Sequence, residues 1–150
     1  MKAHGKSAAR VMALQALYQQ YVTGEIEDND SGLLAEKISG IYKNNKDLRL
    51  PAPPDRKLLR KLIEGALKNR EKIDVIIATR LTSGWDMERL GPTLRGILRL
   101  GIYEMTFTTA PVKVIIKEYI RLADEFVGVK EAKFVNGILD KIARESRKDG

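Results

Sequence analysis

The sequence contains no cysteine, which excludes a disulfide framework, a thiolate zinc site and a cysteine nucleophile. Its single histidine, His4, has no neighbours arranged for acid–base work. No glycine-rich nucleotide loop occurs, and no apolar run approaches the roughly 20 residues that a membrane span requires. Acid is missing from the beginning: nothing negative precedes Glu25, whereas Lys2, Lys6 and Arg10 are cationic. The opening MKAHGKSAARVMALQALYQQY has the basic start and apolar sequel of a signal peptide. Gln15, Gln19 and Gln20 interrupt it, however, and no short-residue cleavage site follows, so it reads as a mature helix. These absences point to a non-enzymatic, cytoplasmic protein with no metal, no cofactor and no membrane anchor.

What remains is 150 residues with a net charge of +7, long enough to bury a real core and simplest as one domain over 1–150. The positive charge favours polyanionic partners. Periodicity is helical throughout, and no segment alternates over a strand's length, so an all-α fold is expected. The chain is organised around GPTLRGILRLGIYEMTF, Gly91 to Phe107. Pro92 occupies a first-turn position where its missing N–H costs nothing. Arg95, Arg99, Tyr103 and Thr106 fall in one narrow sector. Leu94, Ile97, Leu98, Leu100, Ile102, Met105 and Phe107 fill nearly all the rest. A helix apolar on almost every side is enclosed by other helices. Gly96 and Gly101 lower its propensity, which close approach by neighbours would offset. Glu104 points into the apolar side and needs a partner there, as a structural buried acid or a catalytic one.

The other elements follow in order. Ser7 is placed as the N-cap of a first helix reaching about Val22, with Gly24 as its stop. Along it, an exposed Tyr18 near Arg10 can stack a base while the arginine holds a phosphate, or can sit at a core edge with its hydroxyl wet. The acidic loop 25–32 lacks the glycine and closing Glu of a calcium site. A second helix is expected over Gly32–Asn45, then an extended connector with prolines at 51, 53 and 54. Asp55 caps an amphipathic helix with Leu58, Leu59, Leu62, Ile63 and Ala66 inward. Lys57, Lys61, Lys68 and Lys72 form a lysine face that serves solvent or nucleic acid. A short helix with Ile73, Ile76, Ile77 and Leu81 ends near Ser83-Gly84-Trp85-Asp86. After Pro111 comes a helix to Val127 whose inward arc holds Val112, Ile115, Ile116, Tyr119, Ile120, Leu122, Ala123 and Phe126.

The last helix, about Lys130 to Ser146, turns Val135, Ile138, Leu139, Ile142 and Ala143 to the core. Lys130, Lys133, Gly137, Lys141, Arg144 and Lys148 fall within roughly 80° of one another on its wheel. This stripe contains no acid, Gly137 bares a patch of backbone, Phe134 lies at the core border and Asn136 on the opposite flank. Cations, an aromatic and an amide are the ingredients of single-stranded RNA recognition, although a solvated helix edge has the same periodicity.

Three blocks together resemble the NusB family of bacterial transcription antitermination factors. They are SAARVMALQALY (Ser7–Tyr18), LRGILRLGIYEM (Leu94–Met105), and PVKVIIKEYIRLADEF followed by KFVNGILDKIA (Pro111–Ala143). The resemblance implies about seven helices in two small packed bundles. It also implies binding of boxA RNA together with NusE, a small-subunit ribosomal protein, in company with other Nus factors and RNA polymerase, and in some relatives a homodimer. On that resemblance Arg10, Gln15 and Tyr18 match one RNA-contacting segment, with Lys2 and Lys6 in a basic arm before it. Lys133, Phe134 and Asn136 match another. Lys130 stands where other members often carry an acid. Two alternatives are the RNA-binding domain related to that of ribosomal RNA cytosine methyltransferases, and a helical dimerisation module that never meets RNA.

Overall fold

The computed structural model describes residues 2–23, 53–81 and 84–147. The expected acidic loop, the helix Gly32–Asn45, Pro51 and Lys148 lie outside the described residues. Among the described residues there are six helices and no strand, as the periodicity requires. The chain divides into two compact units, Met1–Lys68 and Asn69–Gly150.

In the first unit, α1 (Lys2–Thr23) packs against α2 (Arg56–Lys68). The first helix begins five residues before Ser7, so Ser7 is not its cap but a buried position within it. The basic arm is therefore the opening of α1. Within that opening, the Gly5 carbonyl accepts the Asp55 N–H at 2.9 Å. A Cβ at Gly5 would lie 3.3 Å from the Pro53 carbonyl oxygen. The end of the proline connector thus rests on the first turns of α1. Asp55 caps α2 as expected, its Oδ1 accepting the Leu58 N–H at 2.9 Å. Leu59, Leu62, Ile63 and Ala66 are buried and Lys57, Lys61 and Lys68 are exposed. Lys72 belongs to the next helix, because the chain turns at Asn69.

The second unit is built on α4 (Gly91–Phe107), which packs against α3 (Arg70–Ala78), α5 (Val112–Phe126) and α6 (Val129–Ser146). Its bounds match the sequence reading, with Pro92 in the first turn and Gly91 at φ +76°. A Cβ on Gly101 would meet both Leu139 methyls at 3.2 Å and the Tyr119 ring at 3.4 Å, the close approach expected of that glycine. Two assignments on this helix change. Tyr103, placed in the polar sector, is buried, and Phe107, placed in the apolar one, is 40% exposed. The two rings stack at 5.7 Å, so the tyrosine gains cover and the phenylalanine, at the helix end, has nothing beyond it.

Glu104 is 1% exposed and accepts a short hydrogen bond from the Tyr119 hydroxyl. That donor supplies a partner the buried acid needs. Arg99 and Asp74 join α4 to α3 through two parallel hydrogen bonds of 2.8 and 2.9 Å, and Arg80 pairs with Glu145 to join the end of α3 to α6. The end of α4 is closed by a residue far along the chain. Arg147 donates to the carbonyls of Met105 (2.9 Å), Glu104 (3.0 Å), Thr108 (2.6 Å) and Ala110. Terminal helix carbonyls have no intrahelical donors, and a planar guanidinium supplies several from one point.

Two stability predictions follow from these contacts. Tyr119→Phe removes a donor from a buried carboxylate and should lower stability by about 1.5–3 kcal/mol in urea unfolding, with nucleic-acid affinity of the folded protein unchanged. Weaker binding at unaltered stability would instead place Glu104 in a functional site. Arg147→Ala should cost a similar amount, about 1.5–3 kcal/mol. Arg147→Lys should recover little of it, because one ammonium cannot span four carbonyls. Full recovery by lysine would show that charge at the helix end, rather than the fork, closes α4.

Candidate nucleic-acid interface

The residues expected from the sequence fall in two clusters, one within each unit. In the first, α1 buries Ala8, Ala9, Met12, Ala13, Leu14, Ala16 and Leu17. What it leaves outside includes His4, Lys6, Gln15, Tyr18 and Gln19. Gln15 and Tyr18 are one turn apart, about 60° on the wheel, and Tyr18 is 45% exposed. The ring and the amide therefore share one partly exposed side of α1, an arrangement that fits a stacking ring and a core-edge ring with a wet hydroxyl alike.

Arg10, expected beside Tyr18, is 3% exposed and engaged within the fold. Arg10 lies on the same side as the buried alanines that let neighbours approach, and a long side chain there is enclosed with them. Lys6 is exposed on this segment. Lys2 lies in α1, with its side chain outside the described residues.

The second cluster lies on α6. Val135, Ile138, Leu139, Ile142 and Ala143 are buried as expected. Lys130, Lys133, Asn136, Gly137, Lys141 and Arg144 are exposed on the other side. A Cβ at Gly137 would meet nothing within 4 Å, so the backbone there is open. The stripe is not free of acid throughout: Asp140 reaches Arg144 at 3.0 Å, one helical turn away, and neutralises its far end. Cationic character is therefore concentrated at Lys130, Lys133 and Lys141.

Phe134 is not a lone ring at the border. It stacks on Trp85, with centroids 4.7 Å apart and planes inclined by 20°, and Lys130 Nζ lies 5.6 Å from the centroid of a Trp85 ring. The segment that brings Trp85 here is held locally. Gly84 turns the chain at φ +92°. Asp86 accepts the Arg89 N–H at 2.9 Å, and the Arg89 guanidinium donates back to the Gly84 carbonyl at 3.1 Å. Sequence reading treated Trp85 as part of a turn. Its type was a signal, since it is the only tryptophan, but its partner lies 49 positions on and spacing could not reveal it. Lysine over indole over phenyl makes a preformed cationic stack, in which a base can join two rings already ordered.

Among the described residues, no cluster of His, Cys, Asp or Glu could hold a metal ion, and no helix is long and apolar enough to cross a membrane.

The chain as a whole is similar to known proteins. The family model described as NusB family matches residues 7–144. The transcription antitermination protein NusB of Caulobacter vibrioides is 37% identical over 143 residues, covering 95% of this chain and 94% of its own. NusB from T. maritima superposes with a TM-score of 0.74 at 30% identity, covering 95% of this chain and 94% of that one. A crystal structure of the antitermination factors NusB and NusE in complex with double-stranded RNA superposes with a TM-score of 0.71 at 27% identity, over 97% of this chain and 98% of that one.

If the Trp85 stack orders Phe134, Trp85→Leu should lower affinity for single-stranded RNA by about 1–2 kcal/mol, within the range for one aromatic stacking contact. Its fluorescence gives a direct check on the wild type, where saturating RNA should change the emission of the one tryptophan. An emission unaffected by RNA would remove Trp85 from the interface.

Proposed function

Since the chain belongs to the NusB family, we propose that it is a non-enzymatic transcription antitermination factor that binds boxA-type single-stranded RNA together with NusE. In this reading it works as one RNA-binding domain over 1–150, in the cytoplasm. The RNA-bound pair joins other Nus factors on RNA polymerase and suppresses termination, above all in ribosomal RNA operons. The observation that carries NusE and RNA as partners is the match, over nearly the whole chain, to a NusB crystallised with NusE and double-stranded RNA. The single-stranded boxA reading rests on the resemblance of the sequence blocks and on the exposed cations of α6 and its Phe134 ring. Self-association through the RNA face would store the protein in an inactive form.

The proposed contacts divide by chemistry. Lys6, Lys130 and Lys133 neutralise phosphates, with Lys2 beside them in sequence. Tyr18 and Phe134, the latter backed by Trp85, stack splayed bases. Gln15 and Asn136 offer amides to base edges. Arg10 acts from within α1 and is not counted among the contacts. Lys130 adds a positive charge where relatives often carry an acid, which offsets an opening segment with few arginines.

Salt dependence separates the two kinds of contact. Lys133→Ala should weaken boxA and scrambled RNA alike and make the slope of log K against log salt shallower by roughly 0.7. Phe134→Ala should leave the slope nearly unchanged and cost about 1–3 kcal/mol of binding, with folding monitored separately because the Trp85 stack is lost too. NusE from the same source should tighten binding by the wild type, since two linked surfaces then hold one RNA. If Phe134→Ala binds as the wild type does, or Lys133→Ala keeps the full slope, α6 presents a solvated edge and not the RNA site.

A further inference from the structure

The sequence predicts a wider buried arc on α5 than the fold uses. Ile115, Tyr119, Leu122 and Ala123 are buried, but Ile116 and Ile120 are only partly covered and Phe126 is 45% exposed. Ile116 and Ile120, but not Phe126, line a groove of about 770 Å³ between α5 and α6. Its floor is aliphatic: Ile116 and Ile120 from α5, Val129 and Ala132 from α6. Val129 is 63% exposed, the highest value among the exposed large apolar side chains of the described residues. Around this floor stand Lys113, Lys117, Arg121 and Lys133, against a single acid, Asp124. Arg121 is already paired with Glu118 at 2.5 Å, so three lysines set the charge of the rim.

We infer that this groove docks an amphipathic helical segment of a partner protein, with aliphatic residues on one face and acids flanking them. The lining positions on α5 run from 113 to 124 at i, i+3, i+4, i+7, i+8 and i+11. That stripe is about 16 Å long, the length of a three-turn helix. Apolar anchors at i, i+3 or i+4 and i+7 fill such a groove, and acids beside them meet the lysine rim. RNA fits the groove less well. No aromatic side chain lines it, so a base would find no ring to stack on, and the aliphatic floor would be left without an apolar occupant. Lys133 and Asn136 border both this groove and the proposed RNA stripe, so an occupied groove would bear on RNA affinity. The groove itself does not depend on the RNA reading.

The test uses the full chain without RNA and a fluorescent, end-capped 14-residue peptide (about four turns). The peptide carries leucine or isoleucine at i, i+3, i+4 and i+7 and glutamate beside them. Anisotropy should show saturable binding that weakens with salt. A scrambled peptide of the same composition should bind at least about tenfold more weakly, a difference of about 1.4 kcal/mol. Lys117→Glu and Val129→Glu, both at exposed positions, should each reduce affinity by at least about tenfold while leaving the thermal midpoint unchanged. A peptide with lysine in place of glutamate should bind Lys117→Glu better than it binds the wild type. The inference is overturned if the acidic peptide does not bind saturably or binds both variants as it binds the wild type. It is equally overturned if Lys117→Glu lowers affinity for boxA-type RNA, which would make the groove a nucleic-acid path. Concentration-dependent self-association that Val129→Glu abolishes would assign the groove to a second copy of this chain.

Discussion

Everything in the second unit depends on how closely α4 can be enclosed. At Gly101 a Cβ would press on Leu139 and touch Tyr119, so α5 and α6 pack against α4 more tightly than a larger residue there would permit without the Leu139 side chain shifting. Dispersion and apolar burial fall off steeply with separation, and this approach lets Ile97, Leu98, Leu100 and Ile102 be sealed on all sides. The lower helix propensity of glycine is offset by packing made in three directions.

Enclosure has a polar consequence. A helix enclosed on most sides must satisfy its acid, Arg99 and its last carbonyls through other elements of the protein. Each is met by a residue from another element: Tyr119 for Glu104, Asp74 for Arg99 and Arg147 for the carbonyls around residue 105. The same contacts tie α3, α5 and the end of α6 to α4. Rigid seating of α6 on α4 is what holds the outward lysines and Phe134 in one fixed row, and the short segment 84–90 then adds Trp85 to that row.

Both surfaces proposed for this unit use what the core leaves over. One side of α6 carries cations and a ring stack, suited to a phosphate chain with splayed bases. Between α5 and α6 lies an aliphatic channel with a lysine rim, suited to a helix. The two share Lys133 and Asn136, so a single side chain can be drawn on by two different chemistries.

The sequence by itself determined the all-helical class, the bounds of α4, the cap at Asp55, the buried side of α6 and the need of Glu104 for a partner. These depend on interactions within a few turns, where the 3.6-residue period and local capping decide the outcome. The motif blocks also carried the family. Tertiary structure decided what periodicity cannot reach, because a helical wheel gives direction but not what stands in that direction. It buried Arg10, exposed Phe107, left Ile116 and Ile120 half covered and paired Arg144 with Asp140. It brought Trp85 onto Phe134 and Arg147 onto the end of α4 across 49 and 42 positions of chain. Such contacts arise only when whole helices are set side by side, and no spacing along one of them encodes the distance to another.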